Sequence, residues 1–265
     1  MIMNVHDFLS KKKENKKITM LTCYDYWSAK ILNETDVDCL LVGDSLSMVM
    51  HGYNDTTHAT IDMMALHCKS VSKGAPNKYL VGDMPFLSFR KGLSSTMSAV
   101  EKIMQSGAHC VKIEGVKGHE EIIEHIVSSG VPVMGHLGLT PQSIHALGGH
   151  KVQGKESEHQ DRILNEAKKL QDLGCFSLVL ECIPKSLATQ ISSKLFIPTI
   201  GIGAGSGVDG QVLVLQDLLG MSPSFQPKFL KQYINGFEMI QSAVNEYVCE
   251  VNDRSFPEEK HSYGD

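Results

Sequence analysis

Short apolar runs alternate with longer amphipathic segments along the chain. The short runs predict buried strands, because strands that are covered on both faces are continuously apolar rather than alternating. The longer segments predict surface helices, in which apolar positions recur about every 3.6 residues. The predicted strands are residues 18–23, 39–42, 79–81, 110–113, 131–134, 177–180, 198–200 and 211–215, and the predicted helices are about 3–15, 24–34, 60–73, 94–106, 118–129, 158–173, 184–194 and 228–250.

This alternation indicates an α/β fold with a parallel sheet covered on both faces. About eight strand–helix units follow one another without a break in composition in a chain of 265 residues, and a (β/α)8 barrel typically takes ~250 residues. We therefore predict a single-domain (β/α)8 TIM barrel with a short N-terminal helix, and an open doubly wound sheet is the alternative. The predicted domain covers residues 1–265, with the barrel at about 18–220, a C-terminal helix at about 228–250 and a polar tail at 252–265.

Composition and charge narrow the functional classes. The chain is 42% apolar and 21% charged, and its net charge is −5, so we expect neither nucleic acid nor a membrane surface as a partner. No apolar run approaches the ~20 residues of a membrane helix, and residues 1–17 lack the apolar centre of a signal peptide. The seven cysteines include no C-x-x-C pair, which favours reduced thiols in a cytoplasmic protein.

Carboxylates follow directly at the ends of four predicted strands. These acids are Asp44, Asp83, Glu114 and Glu181. In a parallel barrel the carboxyl ends of all strands lie on one face, which is where active sites form. Like charges that meet there repel, so either one acid is protonated or a cation lies between them. An all-oxygen ligand set suits Mg²⁺, which uses one or two carboxylates and leaves another acid free to act as a base.

Other residues near these strand ends carry both a functional and a structural interpretation. Lys112 lies two positions before Glu114 and shares its face of the strand, so it either binds an anionic substrate or forms a structural ion pair. His136 is either a site residue or a hydrogen-bonded core histidine, and Ser45 either binds substrate or caps a turn. The glycine-rich residues 201–207 are similar to a phosphate-binding loop, but they also suit tight packing.

Several motifs together resemble the ketopantoate hydroxymethyltransferase family, and the resemblance runs nearly from end to end. The motif GHLGLTPQS is highly specific, whereas the glycine-rich loop by itself is not. The matching motifs are VGDSL at 42–46, DMPF at 83–86, VKIEG at 111–115, GHLGLTPQS at 135–143, KVQG at 151–154, LECIP at 180–184 and IGIGAG at 200–205.

This resemblance implies a fold, a reaction and an assembly. The fold is a TIM barrel of the phosphoenolpyruvate/pyruvate superfamily, and the assembly is a homodecamer. The reaction transfers a hydroxymethyl group from 5,10-methylenetetrahydrofolate to 3-methyl-2-oxobutanoate. Its product is 2-dehydropantoate, and it is the first committed step of pantothenate biosynthesis. Bound Mg²⁺ stabilises the enolate that forms when C3 of the oxo acid loses its proton.

The resemblance also implies the roles of individual residues. The metal positions of the family match Asp44, Asp83 and Glu114. The oxo-acid positions match Asp44, Ser45, Asp83 and Lys112. Glu181 matches the proton acceptor, and His136 is an accessory candidate that hydrogen-bonds the new hydroxyl group or the folate.

Two positions depart from the pattern of the family. Ser47 stands where glycine is usual, and His150 stands where an aromatic residue commonly precedes KVQG. Both lie in loops over the expected active face, so they bear on loop closure rather than on the type of reaction. Two other functions remain as alternatives. A Mg²⁺-dependent lyase or mutase of the same superfamily would carry a Lys-Lys-Cys-Gly-His loop, which the sequence lacks, and a non-catalytic ligand-binding barrel would lack an acid or the lysine.

Overall fold

Eight parallel strands follow one another around a closed barrel, in which β8 pairs with β1. The structure is a computed structural model that describes residues 2–223 and 226–264. The predicted eight-stranded barrel is confirmed, and the open doubly wound sheet is wrong. The strands are β1 Ile18–Thr22, β2 Cys39–Val42, β3 Tyr79–Asp83, β4 Cys110–Glu114, β5 Val133–Gly138, β6 Ser177–Glu181, β7 Thr199–Ile202 and β8 Gly210–Leu213.

Helices within residues 1–214 connect the strands and cover the barrel. The connection after β2 contains α3 and a 3₁₀ turn at Thr56–His58, and the connection after β5 contains a 3₁₀ turn at Pro141–Ser143. No helix within residues 2–223 and 226–264 combines the length and apolar content that crossing a membrane requires. The helices are α1 Val5–Lys13, α2 Tyr26–Asn33, α3 Leu46–Val49, α4 Ile61–Gly74, α5 Leu93–Gln105, α6 Glu120–Ser128, α7 Ile144–Leu147, α8 Ser157–Asp172, α9 Lys185–Lys194, α10 Leu215–Leu218 and α11 Gly236–Asp253.

The chain divides into two compact units, residues 1–214 and 215–265. The first unit holds the barrel strands and α1–α9. The second holds α10, α11 and a 3₁₀ turn at Glu259–His261. Its long helix begins at Gly236 rather than near residue 228, because the Asn235 side chain accepts a hydrogen bond from the backbone N–H of Glu238 at 3.4 Å and caps the helix there. That one domain spans residues 1–265 stays a prediction.

Helix α1 contributes its one fully buried side chain to the core at the N-terminal end of the barrel. Asn4 caps this helix by accepting a hydrogen bond from the backbone N–H of His6 at 2.8 Å. The Phe8 ring then packs edge-to-face on Tyr79 and Phe176, with ring centroids 5.3 and 5.2 Å away. The apolar cluster that contains these rings extends through the barrel interior and comprises Phe8, Ile18, Met20, Cys39, Leu41, Tyr79, Val81, Cys110, Met134, Phe176, Val179, Ile200 and Val212.

The same strands change character towards their C-terminal ends. Side chains two apart share a face of a strand, so β3 presents Tyr79 and Val81 and then Asp83 on one face. Residues Asp83 and Lys112 are partners in the register of β3 and β4. The strand register therefore places charged side chains beside one another directly above the apolar cluster.

Candidate active site

A small cavity of about 120 Å³ lies at the C-terminal ends of the strands. All seven candidate residues from the sequence line it. Ten further residues line it, of which four come from the strand ends and from the connections after β2 and β5 and six are apolar. The candidates are Asp44, Ser45, Asp83, Lys112, Glu114, His136 and Glu181; the first four others are Thr22, Gly43, Thr56 and Pro141, and the apolar ones are Leu41, Val179, Ile202, Val212, Leu213 and Val214.

A second, wider cleft of about 810 Å³ is lined mainly by charged side chains of α6 and α8, among them Glu120, Arg162 and Lys169. Its ionic groups are of both signs, and Lys169 pairs with Glu120 at 3.0 Å where both remain partly exposed. Exposed pairs of this kind contribute little energy. The smaller cavity is the candidate active site, because of these two cavities it is the one in which buried charged groups converge from several strand ends.

Lys112 is the cation at the centre of the smaller cavity. Its side chain is buried, and its Nζ lies 2.7 Å from Asp83 Oδ1 and 3.2 Å from His136 Nδ1. Burial alone would lower the pKa of Lys112, but the carboxylates of Asp83, Glu114 and Asp44 outweigh burial and raise it. Lys112 is therefore charged at neutral pH and forms an ion pair with Asp83, while its role in binding substrate stays a prediction.

His136 lies between that lysine and two acids. Its Nδ1 is 3.5 Å from Glu114 Oε1, and its Nε2 is 3.3 Å from Glu181 Oε2. Burial and the charge of Lys112 lower the pKa of His136, whereas Glu114 and Glu181 raise it, and the net value is about 9. A protonated ring donates to both carboxylates, whereas a neutral ring with Nδ1 unprotonated accepts from Lys112. The two arrangements differ by one proton.

The acids outnumber the cations. Burial, followed by the charges of Asp83 and Glu114, raises the pKa of Asp44 well above its usual range. Burial likewise raises the pKa of Asp83, although the neighbouring Lys112 opposes this. Each shift means that the protein alone does not fully compensate the negative charge at these carboxylates. An additional cation would do so.

Two carboxylate oxygens have the environment that such a cation needs. Among the described residues, Asp83 Oδ1 and Glu114 Oε1 are buried without a hydrogen-bond partner, and the contact of Asp83 Oδ1 with Lys112 is an ion pair outside hydrogen-bond geometry. Within the same residues, no three His, Cys, Asp or Glu side chains are arranged to hold a metal ion directly. Mg²⁺ commonly binds one or two carboxylates and keeps water ligands, so the buried, unpaired oxygens fit a partly hydrated Mg²⁺.

The connection after β2 is held in place by hydroxyl groups. The Tyr24 hydroxyl is 2.8 Å from Ser45 Oγ, and Tyr24 is fully buried. Ser47, one of the two departures from the family pattern, donates through Oγ to the carbonyl oxygens of Asp44 at 2.9 Å and Asp55 at 3.0 Å. A glycine could make neither contact, so this chain ties the loop more firmly behind Asp44. The other departure, His150, is exposed.

Sequence reasoning missed the contributions of Tyr24 and Gln142. Only the fold brings Tyr24 to Ser45. Gln142 lies inside the motif GHLGLTPQS but received no role. It is buried, and its side-chain Nε2 donates to Asp44 Oδ2 at 2.8 Å. Its place in this motif, in a loop at the predicted active face, was the one signal that the sequence offered.

Glycine is required where β5 meets β6. Gly138 has a φ of +95°, and a Cβ atom there would lie 2.2 Å from the carbonyl oxygen of Glu181. The absence of a side chain lets the two strand ends approach closely, and the Leu139 N–H donates to the Glu181 carbonyl at 2.8 Å. This contact fixes the backbone that carries Glu181. In the glycine-rich loop at 201–207, by contrast, Ile202 is the residue that lines the cavity.

Comparison with known proteins gives a family and a fold. The family model described as ketopantoate hydroxymethyltransferase matches residues 2–259. The chain is 55% identical to a 3-methyl-2-oxobutanoate hydroxymethyltransferase of Coxiella burnetii, a match that covers 98% of this chain and 99% of the relative. It is also 55% identical to the enzyme of the same name from Bdellovibrio bacteriovorus, over 97% of this chain and 98% of that one.

Solved structures with low sequence identity share the fold. A phosphonopyruvate hydrolase in complex with oxalate and Mg²⁺ superposes with a TM-score of 0.63 at 9% identity, over 98% of this chain and 93% of that chain. A 2,3-dimethylmalate lyase of the PEP mutase/isocitrate lyase superfamily gives a TM-score of 0.58 at 12% identity, over 96% of this chain and all of that one. These structures share the predicted (β/α)8 barrel fold, and the superfamily type of the barrel stays a prediction.

Proposed function

The chain belongs to the ketopantoate hydroxymethyltransferase family, and we propose that it transfers a hydroxymethyl group from 5,10-methylenetetrahydrofolate to 3-methyl-2-oxobutanoate to give 2-dehydropantoate. The observation that carries this proposal is the convergence of four acids and Lys112 in one small cavity at the strand ends. The family match over residues 2–259 supports the reaction as a step of pantothenate biosynthesis.

The oxo acid binds beside Lys112 in this proposal. The lysine is the buried cation of the cavity, so it attracts the carboxylate and the keto oxygen of the substrate and stabilises negative charge that develops on that oxygen. Asp83 orients Lys112 through the 2.7 Å ion pair. The Ser45 hydroxyl, held by Tyr24 at 2.8 Å, donates to the substrate from the segment that follows β2.

Mg²⁺ would be held, directly or through water, by the carboxylates of Asp44, Asp83 and Glu114. Two of them carry the buried, unpaired oxygens described above. When it is bound, the ion supplies positive charge next to the oxygens of the oxo acid. The Mg²⁺ and oxalate named for the phosphonopyruvate hydrolase support the use of such an ion by this type of barrel.

Glu181 is the proposed proton acceptor. Its side chain is 19% exposed, whereas those of Lys112 and Glu114 are 3–4% exposed, so it is the acid with most access to the cavity. It removes the proton from C3 of the oxo acid, and the electron pair of that C–H bond moves towards the keto oxygen beside Lys112. His136, 3.3 Å from Glu181, orients the carboxylate.

The carbon–carbon bond then forms between C3 and the one-carbon unit of the folate. The two bonds from that carbon to the folate nitrogens break, and a water molecule supplies the oxygen of the new hydroxyl group. One proton of that water and the proton held by Glu181 go to the two nitrogens, and tetrahydrofolate leaves. His136 is also within reach of the cavity and would hydrogen-bond the new hydroxyl group or the folate. The transfer needs no oxidant or reductant, because the one-carbon unit of the folate is already at the required oxidation level.

The same proposal includes a cytoplasmic location and a homodecamer. All seven cysteines are free, and five of them are buried, which supports a reducing compartment. Helix α11 exposes large apolar side chains, which supports burial against other subunits. They include Phe237, Met239, Ile240, Val244, Tyr247, Val248 and Val251. Light scattering coupled to size-exclusion chromatography will test the decamer.

Exchange of the C3 proton tests the reaction without requiring the folate. In D₂O with Mg²⁺, the protein should replace the C3 proton of 3-methyl-2-oxobutanoate with deuterium, and NMR will follow the loss of its signal. A chelator should stop the exchange, and added Mg²⁺ should restore it. Folded, Mg²⁺-loaded protein that leaves the C3 proton in place would reject the proposed proton removal.

The variant Glu181→Gln assigns the base. Exchange should slow by about 10²- to 10⁴-fold, because an amide cannot accept the proton, while calorimetric binding of the oxo acid should change little. Glu158→Gln, at an exposed position of α8, is the control and should exchange at the wild-type rate. Wild-type exchange by Glu181→Gln would assign the base to another residue.

A further inference from the structure

Gln142 joins the ends of three strands from a loop that follows a fourth. It lies in the 3₁₀ turn Pro141–Ser143 after β5, and it is 5% exposed. Its contacts reach Asp44 after β2, Met84 after β3 and Glu114 at the end of β4. Two of the residues that it contacts, Asp44 and Glu114, are proposed to hold the cation.

The geometry settles which way the amide faces. Nε2 donates to Asp44 Oδ2 at 2.8 Å and to the Met84 carbonyl oxygen at 2.9 Å. Both hydrogen bonds start from the same side-chain atom, and only the NH₂ group of the amide carries two N–H donors. The backbone N–H of Gln142 is a third donor, at 3.1 Å from Glu114 Oε2. One residue thus supplies three hydrogen bonds to three different strand ends.

These bonds engage one oxygen of each of two carboxylates. With Asp44 Oδ2 and Glu114 Oε2 occupied by Gln142, the second oxygen of each group remains to meet a ligand. Among the residues that the structure describes, Glu114 Oε1 is buried and has no partner in hydrogen-bond geometry, although His136 Nδ1 lies 3.5 Å from it. A carboxylate held by one oxygen cannot rotate freely, so its other oxygen is presented in a defined direction.

We propose that Gln142 is a positioning residue that preorganises Asp44 and Glu114 for a divalent cation. The proposal rests on the proposed function, which assigns these acids to Mg²⁺. Gln142 does not touch the cation. It acts as the outer hydrogen-bond partners of other metal sites do, by orienting the ligands and by lowering the cost of bringing two like charges together.

A second glutamine shows what a structural role alone looks like. Gln153 is 8% exposed and lies in the same connection between β5 and β6. Its Nε2 donates to the backbone carbonyl of Lys151 at 2.9 Å, within its own segment. The two residues share type, burial and connection, but only Gln142 donates to carboxylates. Gln153 therefore provides a matched control.

Binding of Mn²⁺ tests the proposal without measuring turnover. Mn²⁺ replaces Mg²⁺ as the probe, and electron paramagnetic resonance reports the free ion in the presence of saturating 3-methyl-2-oxobutanoate. Gln142→Met keeps the volume and removes both side-chain donors, so Mn²⁺ affinity should fall about 10- to 100-fold. Gln153→Met should bind Mn²⁺ within about twofold of wild type, and thermal unfolding will show that both variants are folded.

Gln142→Asn provides a milder variant should the methionine variant not fold. It retains the amide but is one methylene shorter, so it cannot reach Asp44 and Met84 together, and its Mn²⁺ affinity should again fall at least fivefold. Unchanged affinity in either folded variant, or an equal loss in Gln153→Met, overturns the positioning role. A wild-type protein that exchanges the C3 proton but binds no Mn²⁺ also overturns it, while leaving the proposed reaction standing.

Discussion

The two ends of the barrel interior are built from the same strands but follow opposite rules. At the N-terminal end, Phe8, Tyr79 and Phe176 pack as aromatic rings with edge-to-face contacts. At the C-terminal end, Asp83 and Lys112 bring buried charges within 2.7 Å of each other. Strand β3 contributes Tyr79 to the first end and Asp83 to the second, only four residues later.

The difference shows where stability and function reside. Apolar burial stabilises the fold by roughly 25 cal/mol for each Å² removed from water. Burying several carboxylates with one lysine costs free energy unless a ligand or cation compensates them. Apolar burial at the N-terminal end therefore offsets the free energy that burying charged side chains at the C-terminal end costs. Substitutions at the two ends should separate these contributions.

Lys112→Met should have the largest effect, because it acts on both function and stability. The variant loses the positive charge beside the developing oxyanion, so kcat/KM should fall by about 10²- to 10³-fold. It also leaves Asp83 without its 2.7 Å partner, which should lower the free energy of unfolding by about 3 kcal/mol. Steady-state kinetics and urea denaturation measure the two losses. A kcat/KM within threefold of wild type would contradict the role of Lys112.

Phe8→Ala should come next and should act on stability alone. Phe8 is fully buried against Tyr79 and Phe176, and replacing such a ring with alanine costs about 3–5 kcal/mol. Phe8→Leu, which fills part of the cavity, should lose less. Urea denaturation at a fixed protein concentration measures the loss, and kcat of the folded fraction should match wild type. A lowered kcat in folded Phe8→Leu would show that the two ends are not separable.

Tyr79→Phe should have the smallest effect. Among the described residues, the buried Tyr79 hydroxyl has no oxygen or nitrogen partner, and the neighbouring thiols of Cys110 and Cys39 form only weak hydrogen bonds. Removing a buried, unsatisfied hydroxyl is nearly neutral or stabilising, so unfolding free energy should change by less than about 1 kcal/mol in the destabilising direction. A loss of 2 kcal/mol or more in urea denaturation would show that the hydroxyl has a strong partner, and would weaken the contrast with Lys112.

Much of the barrel could be predicted because its signals are local. Each strand is an apolar run bounded by polar residues, and the predicted eight-stranded barrel is confirmed. The convergence of Asp44, Asp83 and Glu114 also follows from sequence, since parallel strands end on a common face. The start of α11 at Gly236 was predicted less accurately, because it depends on the Asn235 cap rather than on apolar spacing.

Local sequence patterns could not predict the long-range hydrogen bonds that complete the site. Gln142 and Asp44 are 98 residues apart in the chain but form a 2.8 Å hydrogen bond. Tyr24 meets Ser45 across 21 residues. A hydrogen bond of this kind requires a distance and an angle that no local pattern of polar residues encodes. Gln142 and Gln153 are both glutamines in one loop, yet the fold gives them different partners.

The sequence by itself determined the strand order of this protein's active face, the acids that stand on it and the family to which the chain belongs. Periodicity and strand direction are properties of consecutive residues, so they can be inferred from the sequence alone. Only the tertiary structure decided which carboxylate oxygens are paired and which are left for a ligand. Closure of the barrel brings distant side chains within hydrogen-bond reach of one another. The charges of Lys112, Asp83 and Glu114 then interact strongly because their side chains are almost completely buried.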